Sequence, residues 1–182
     1  MPLDASRNSL VLPILGFLGE RPAHAYDLAT RLQERYAQLR ATRSTVTTLL
    51  KSLHRAGLVK AREPGQVGNR PPRTVFELTE PGFACFREKV ESGLRDTPVA
   101  SVDFALAVAY LGSLPADRAV ALLSERAERL AGEQAALPGG SSAMTGLDTL
   151  EHGYWHGLVG AERAWIADLL TRIRSADLAW AA

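Results

Sequence analysis

Apolar residues recur at helical spacing over most of this chain, and at strand spacing in two short runs. Residues 10–18 (LVLPILGFL) are apolar nearly all round, the pattern of a helix enclosed by its own small domain. Pro13 fits such a helix in or near its first turn, where no backbone N–H is required, and Gly19 closes it. A second helix follows, with Ala25, Leu28, Leu32 and Tyr36 on one side and Asp27, Arg31, Glu34 and Arg35 left to water. A third runs over residues 43–56, with Thr42 as its cap and Gly57 as its stop. Val46, Leu49, Leu50 and Leu53 form its buried stripe. Residues 59–62 and 73–78 read as two β runs, the second placing Thr74, Phe76 and Leu78 on one face. The Gly- and Pro-rich stretch between them predicts a hairpin whose tip carries Arg70 and Arg73. Thr79 caps a fourth helix that admits Pro81 in its first turn and returns Phe83, Phe86 and Val90 to the core.

Beyond residue 96 the pattern is helical throughout. Thr97 and Pro98 read as a cap followed by a proline, opening a helix with Val102, Leu106, Ala109 and Tyr110 on one stripe; Pro115 separates it from the next. Val120, Leu123, Ala127, Leu130, Gln134 and Leu137 then alternate spacings of three and four, the seam of a coiled coil. After a loop over residues 138–146, a last helix over residues 147–174 carries two apolar stripes. One holds Leu147, Leu150, Tyr154, Leu158, Ala161, Trp165 and Leu169; beside it run Trp155, Val159, Ile166 and Leu170. That width exceeds what one neighbouring helix covers. An intramolecular bundle and a homodimer both satisfy it, and the homodimer is preferred, with Val120, Leu123, Leu130, Leu150, Leu158 and Leu169 as its seam. Gly153, Gly157 and Gly160 permit either close approach of another helix or a kink. The expected fold is mainly α with a small β-hairpin wing: an N-terminal winged helix-turn-helix over residues 1–96 and a C-terminal helical dimerisation domain over residues 97–182.

Charge gives this architecture a chemistry. The formal total over 182 residues is only +1, yet residues 1–96 hold 15 Lys and Arg against 10 Asp and Glu, and residues 97–182 hold 6 against 10. Between Arg31 and Arg73 there are ten cations and only Glu34 and Glu63 as acids, an electrostatic footprint suited to phosphate. On the third helix Ser44, Thr47, Thr48, Lys51 and Arg55 form a stripe of hydroxyls and cations without a carboxylate. A merely solvated face usually mixes both signs. Arg43, Ser44, Thr45, Thr47, Thr48, Lys51 and Arg55, with Arg70 and Arg73 from the wing, are the expected DNA-binding residues, Arg43 being the guanine reader at the helix N-terminus. The partner implied is double-stranded DNA with a pseudo-palindromic site. A winged domain meeting an acidic protein is the alternative.

Several motifs together resemble the PadR family of bacterial transcriptional regulators. They are Ala23-His24-Ala25-Tyr26-Asp27-Leu28, the helix ending Leu50-Lys51-Ser52-Leu53 with Gly57-Leu58-Val59, and Leu78-Thr79-Glu80-Pro81-Gly82. The stretches Asp103-Phe104-Ala105-Leu106, Leu111-Gly112-Ser113-Leu114-Pro115 and Leu122-Leu123-Ser124-Glu125-Arg126, and the ending around Ala161-Glu162-Arg163-Ala164-Trp165, are similar to the helical C-terminal region of its longer members. The chain departs from the family at Ala25, where glycine is usual, and at Thr47, where tyrosine is usual. The resemblance implies a repressor, and the family includes repressors released by phenolic acids. On that footing Tyr154, Trp155 and Trp165 are candidate walls for a small aromatic effector, although core packing is the commoner fate of such rings.

Other classes have weaker support. No apolar run reaches the roughly 18 residues of a membrane span. The apolar segment at residues 10–18 is read as a buried helix rather than a signal peptide, because Asp4 offsets Arg7 and Glu20 and Arg21 follow directly. The lone Cys85 forms no intramolecular disulfide, which suits a cytoplasmic location, and its place beside Phe83 and Phe86 suggests burial rather than catalysis. His152 and His156 share a helix side, but no glutamate stands between them as in a metalloprotease motif, and no third ligand is fixed by the sequence. No phosphate loop or nucleophile elbow appears, so neither an enzyme nor a cofactor is expected.

Overall fold

The computed structural model describes residues 8–62, 74–137 and 150–180. It divides into two compact units, residues 1–89 and Val90–Ala182. The division falls seven residues before the break expected at 96/97. The last turns of the fourth helix bury Val90 and Leu94, and Gly93 lies against Ala107 of the second unit.

In the first unit, helix α1 (Val11–Glu20) buries every residue from Val11 to Leu18, with Pro13 in its first turn. It runs past Gly19, where a side chain would meet Phe83 and Leu78. Helix α2 (Ala25–Arg35) buries Leu28, Ala29 and Leu32. A 3-10 turn (Ala37–Leu39) and Arg40, at φ +45°, redirect the chain into helix α3 (Arg43–Arg55). The Thr42 side chain accepts from the Thr45 N–H and caps α3, which buries Val46, Leu49, Leu50 and Leu53 as the periodicity predicts. Gly57, at φ +73°, ends it in the left-handed conformation that lets the Leu58 N–H reach the Leu53 carbonyl.

The sheet holds one strand more than the hairpin read from sequence. Strands β2 (Val59–Arg62) and β3 (Val75–Leu78) pair antiparallel, and the two-residue β1 (Ala23–His24) pairs with the other edge of β3, giving the order β1-β3-β2. Two residues carry no periodicity, which is why β1 escapes sequence reading. Its register, Ala23 with Phe76 and His24 with Val75, pins the start of α2 beside the sheet. Thr79 joins β3 to helix α4 (Glu80–Arg95): its hydroxyl donates to the Gly57 carbonyl and accepts from the Gly82 N–H. Phe83, expected in the core, is exposed and lies over Gly19; Cys85 and Phe86 are half-buried.

In the second unit, Ser101 caps helix α5 (Val102–Ala109) by accepting from the Asp103 N–H. Thr97 is therefore not the cap: its hydroxyl donates back to the Gly93 carbonyl at the end of α4. Phe104, Leu106, Ala107 and Tyr110 are buried, whereas Val102 and Ala109 face out. Helix α6 (Ala116–Ala136) packs antiparallel on helix α7 (Leu150–Arg174). α7 is continuous through its glycines: Gly160 faces Gln134, while a side chain at Gly153 or Gly157 would enter open space. Arg126 is wholly buried between α6 and α7 in an ion pair with Glu162. Among the described residues no helix is long and apolar enough to cross a membrane.

Candidate nucleic-acid interface

Helix α3 offers one face to the first unit's core and the other to solvent. Arg43, Ser44, Thr48, Lys51 and Arg55 are exposed, and Thr45 and Thr47 are half-buried. Local bonds fix several of them. The hydroxyls of Ser44 and Thr45 lie 2.9 and 2.8 Å from that of Thr42, and Thr47 donates to the Arg43 carbonyl at 2.9 Å. Among the described residues, no acid lies within ion-pair reach of Arg43, Lys51 or Arg55. Their charge is left uncancelled at the surface, where a polyanion can displace counterions from itself by contacting them.

The footprint is narrower than the sequence count. Arg31 pairs with Glu20, and both Lys60 and Arg62 pair with Glu77, whose side chain is largely buried. Glu20 and Glu77 lie outside the Arg31-to-Arg73 window and return to it only through folding. Among the described residues, Arg43, Lys51 and Arg55 of α3 are thus cations of that window without an acidic partner. Arg70 and Arg73 lie outside the described residues.

Sequence reading missed one contributor. Tyr26 stands off the buried stripe of α2, is 49% exposed, and places its ring 4.6 Å from the Arg43 guanidinium carbon. An aromatic residue one step from the buried stripe of an amphipathic helix was the available signal. Together with His24, Ala25, Thr47, Lys51, Thr74 and Phe76, these two residues line a cleft of about 380 Å³. The His24 Nδ1 lies 3.0 Å from the Thr74 carbonyl and ties the start of α2 to the entry of β3 beneath it.

In the second unit the expected sites separate. Tyr154, Trp155 and Trp165 are 64, 46 and 44% exposed, so none is core-packed. Tyr154 and Trp155 meet edge to face, whereas Trp165 meets Phe104. Trp155 lines a cleft of about 560 Å³, with Pro98, Val99, Arg129, Glu133, Leu137 and Val159 among its walls. Of the expected dimer seam, Leu123, Leu130 and Leu169 are already buried within the protomer, Val120 and Leu158 are half-buried, and Leu150 is exposed. Helix α6 packs against α7 within the protomer. His156 meets the side-chain amide of Gln134 through Nδ1, and no cluster able to hold a metal occurs among the described residues. Burial pushes the Cys85 thiol above its ordinary value, the reverse of an activated nucleophile.

Three helices, a turn between the second and third, and a small sheet define a winged helix-turn-helix unit with a cationic exposed helix. Residues 14–88, less than half of the chain, match the Transcriptional regulator PadR-like family, the family that the motifs of this stretch resemble. Among solved structures, Bacillus subtilis PadR in complex with operator DNA is 20% identical, with 90% of this chain and 98% of that one covered and a TM-score of 0.44. The same protein in complex with p-coumaric acid gives 19%, 91%, 99% and 0.40. The PadR-like transcriptional regulator of Bacillus cereus gives 15%, 91%, 98% and 0.36. Among curated proteins none matches.

Proposed function

We propose that this chain is a sequence-specific DNA-binding transcriptional regulator acting as a homodimeric repressor in the cytoplasm. The carrying observation is the exposed face of α3, where Arg43, Lys51 and Arg55 have no acidic partner among the described residues. α3 enters the major groove with Arg43 leading, and Ser44, Thr45, Thr47 and Thr48 contact phosphates or thymine methyls. The wing arginines, Arg70 and Arg73, follow the adjoining backbone. Fluorescence anisotropy with labelled duplexes over a salt series tests this. Replacing Lys51 and Arg55 by Ala should reduce the magnitude of the log-affinity against log-salt slope by about 2 for each protomer on the duplex, about 4 for the homodimer. A slope unchanged from wild type, or no binding to any duplex at low salt, would refute the assignment.

The second unit, which takes up the region from residue 97 onward, supplies the dimer. The face left open on α7 by Leu150, Tyr154 and Trp165 supports this, since apolar side chains at that spacing favour a second helix over water. Sedimentation should report a dimer at micromolar concentration, and Leu150→Glu with Tyr154→Glu should shift it to monomer. A small aromatic effector releases the repressor by binding at the Trp155 cleft, a reading supported by its mostly apolar walls and by the resemblance to the PadR family. To act, it must prefer one dimer geometry over the other, since equal affinity shifts nothing. Quenching of tryptophan fluorescence across a panel of hydroxycinnamates and planar aromatics, lost in Trp155→Ala, checks it.

A further inference from the structure

We propose that Tyr26 is a positioning residue of the DNA interface: its ring fixes the Arg43 guanidinium at the mouth of the cleft between α2, α3 and β3, so that base preference depends on it. The inference rests on the DNA reading above and deepens it. Arg43 is the first residue of α3, is exposed, and spends no side-chain N–H on a protein acceptor among the described residues. An arginine left free in that way samples many rotamers, and that freedom must be surrendered when it pairs with a base edge. A guanidinium attracted to an aromatic ring surrenders part of it beforehand. The contact is electrostatic attraction to the ring, so it leaves the guanidinium donors available to guanine O6 and N7.

Three observations place the ring there independently of any ligand. The β1–β3 register and the His24–Thr74 bond anchor the two residues before α2, so Tyr26 emerges at a set point beside the α3 N-terminus. The Thr42 cap and the Thr47-to-Arg43 carbonyl bond hold the α3 end of the pair. Finally, no hydrogen bond of the Tyr26 hydroxyl is formed among the described residues, and the ring is half-exposed, so the ring earns no place in the core that would explain it. Lys51 on the same cleft wall supplies a second uncancelled cation. The arrangement suits a phosphate at the Lys51 side and a base edge at the Arg43 side.

The test uses the full chain and a duplex enriched by wild-type protein from random-sequence DNA. Affinity is measured for that duplex and for its single-base variants, with Tyr26→Phe, Tyr26→Leu, Tyr26→Gln, Arg43→Ala and the Tyr26→Leu/Arg43→Ala double variant. Tyr26→Phe keeps the ring and should keep both affinity and preference. Tyr26→Leu and Tyr26→Gln should weaken binding about two- to five-fold per half-site, the strength of an exposed cation–π contact, and should relax the same base position that Arg43→Ala relaxes. The double variant should bind as Arg43→Ala alone does, because the ring acts through the arginine. Far-UV melting confirms that each variant folds, and having two ring-free replacements guards against one that does not. Unchanged preference in the ring-free variants, or additive losses in the double variant, overturns the proposal while leaving the DNA reading intact. A wild-type chain that enriches no sequence overturns the DNA reading, and this proposal with it.

Discussion

Replacing Arg126 by Met should destabilise the second unit by about 3 to 5 kcal/mol, the cost of leaving one member of a buried ion pair without the other. The side chain is wholly buried, and its donors are all engaged. Nε donates to Glu162 Oε1 at 2.7 Å, Nη1 to the Thr97 carbonyl at 2.8 Å and hydroxyl at 3.1 Å, and Nη2 to the Pro98 carbonyl at 3.0 Å. The guanidinium carbon also sits 4.1 Å from the centre of the Phe104 ring. Burial pushes the group below its ordinary value and the Glu162 carboxylate pulls it back, so it stays cationic. After the substitution Glu162, only 10% exposed, keeps the Ala100 N–H at 2.7 Å but loses its counter-charge. The Thr97 carbonyl retains Arg129 at 3.0 Å, whereas the Pro98 carbonyl loses the guanidinium. Removing both charges, as Arg126→Met with Glu162→Leu, eliminates the stranded carboxylate and should recover most of the loss. Trp155, Trp165 and Trp180 all lie beyond residue 90, so tryptophan fluorescence in a urea titration follows the second unit selectively. With a slope of about 2 kcal/mol per molar, the single variant should lower the midpoint by about 2 M at fixed protein concentration. A loss under about 1 kcal/mol, or a double variant no more stable than the single, would refute the reasoning.

Three further outcomes follow from local geometry. At Gly82 an added Cβ would sit 2.0 Å from the Leu58 carbonyl oxygen and 2.7 Å from Leu78, so Gly82→Ala should cost about 1 to 3 kcal/mol, read as a lower far-UV melting temperature. Thr42→Ala removes the cap of α3 and should cost about 1 kcal/mol, with faster amide exchange at Thr45 as the local signature. Burial raises the Cys85 thiol, so alkylation by iodoacetamide should reach half its maximal rate at a higher pH than for an ordinary cysteine. The sign carries over to folding: a thiol raised in the folded state adds stability below its unfolded value, and that contribution is lost as pH climbs through the folded one.

The sequence by itself determined the elements whose information is local. The buried stripe of α3, its Thr42 cap and its Gly57 stop are each written in a few neighbouring residues, and the structure has them where the spacing puts them. The same holds for the sign of the α3 face, because no acid occurs on it. What only the tertiary structure decided depends on which distant residues meet. Strand β1 is two residues long and exists because β3 offers it an edge. Lys60 and Arg62 count as free cations in the sequence, yet Glu77 arrives across the sheet to cancel them. The α6 seam has a spacing that suits any helical partner; that Leu123 and Leu130 are covered within the protomer, leaving Leu150 and Tyr154 open, is a matter of packing that periodicity does not encode. Tyr26 was legible as an outward-facing ring, but its meeting with Arg43 required the α2–α3 turn and the β1 register together. Arg126 shows the limit most plainly: a charged side chain reads as solvent-facing in any window of sequence, and it is buried here because Glu162, 36 residues away, supplies the counter-charge and the backbone carbonyls of Thr97 and Pro98 take its remaining protons.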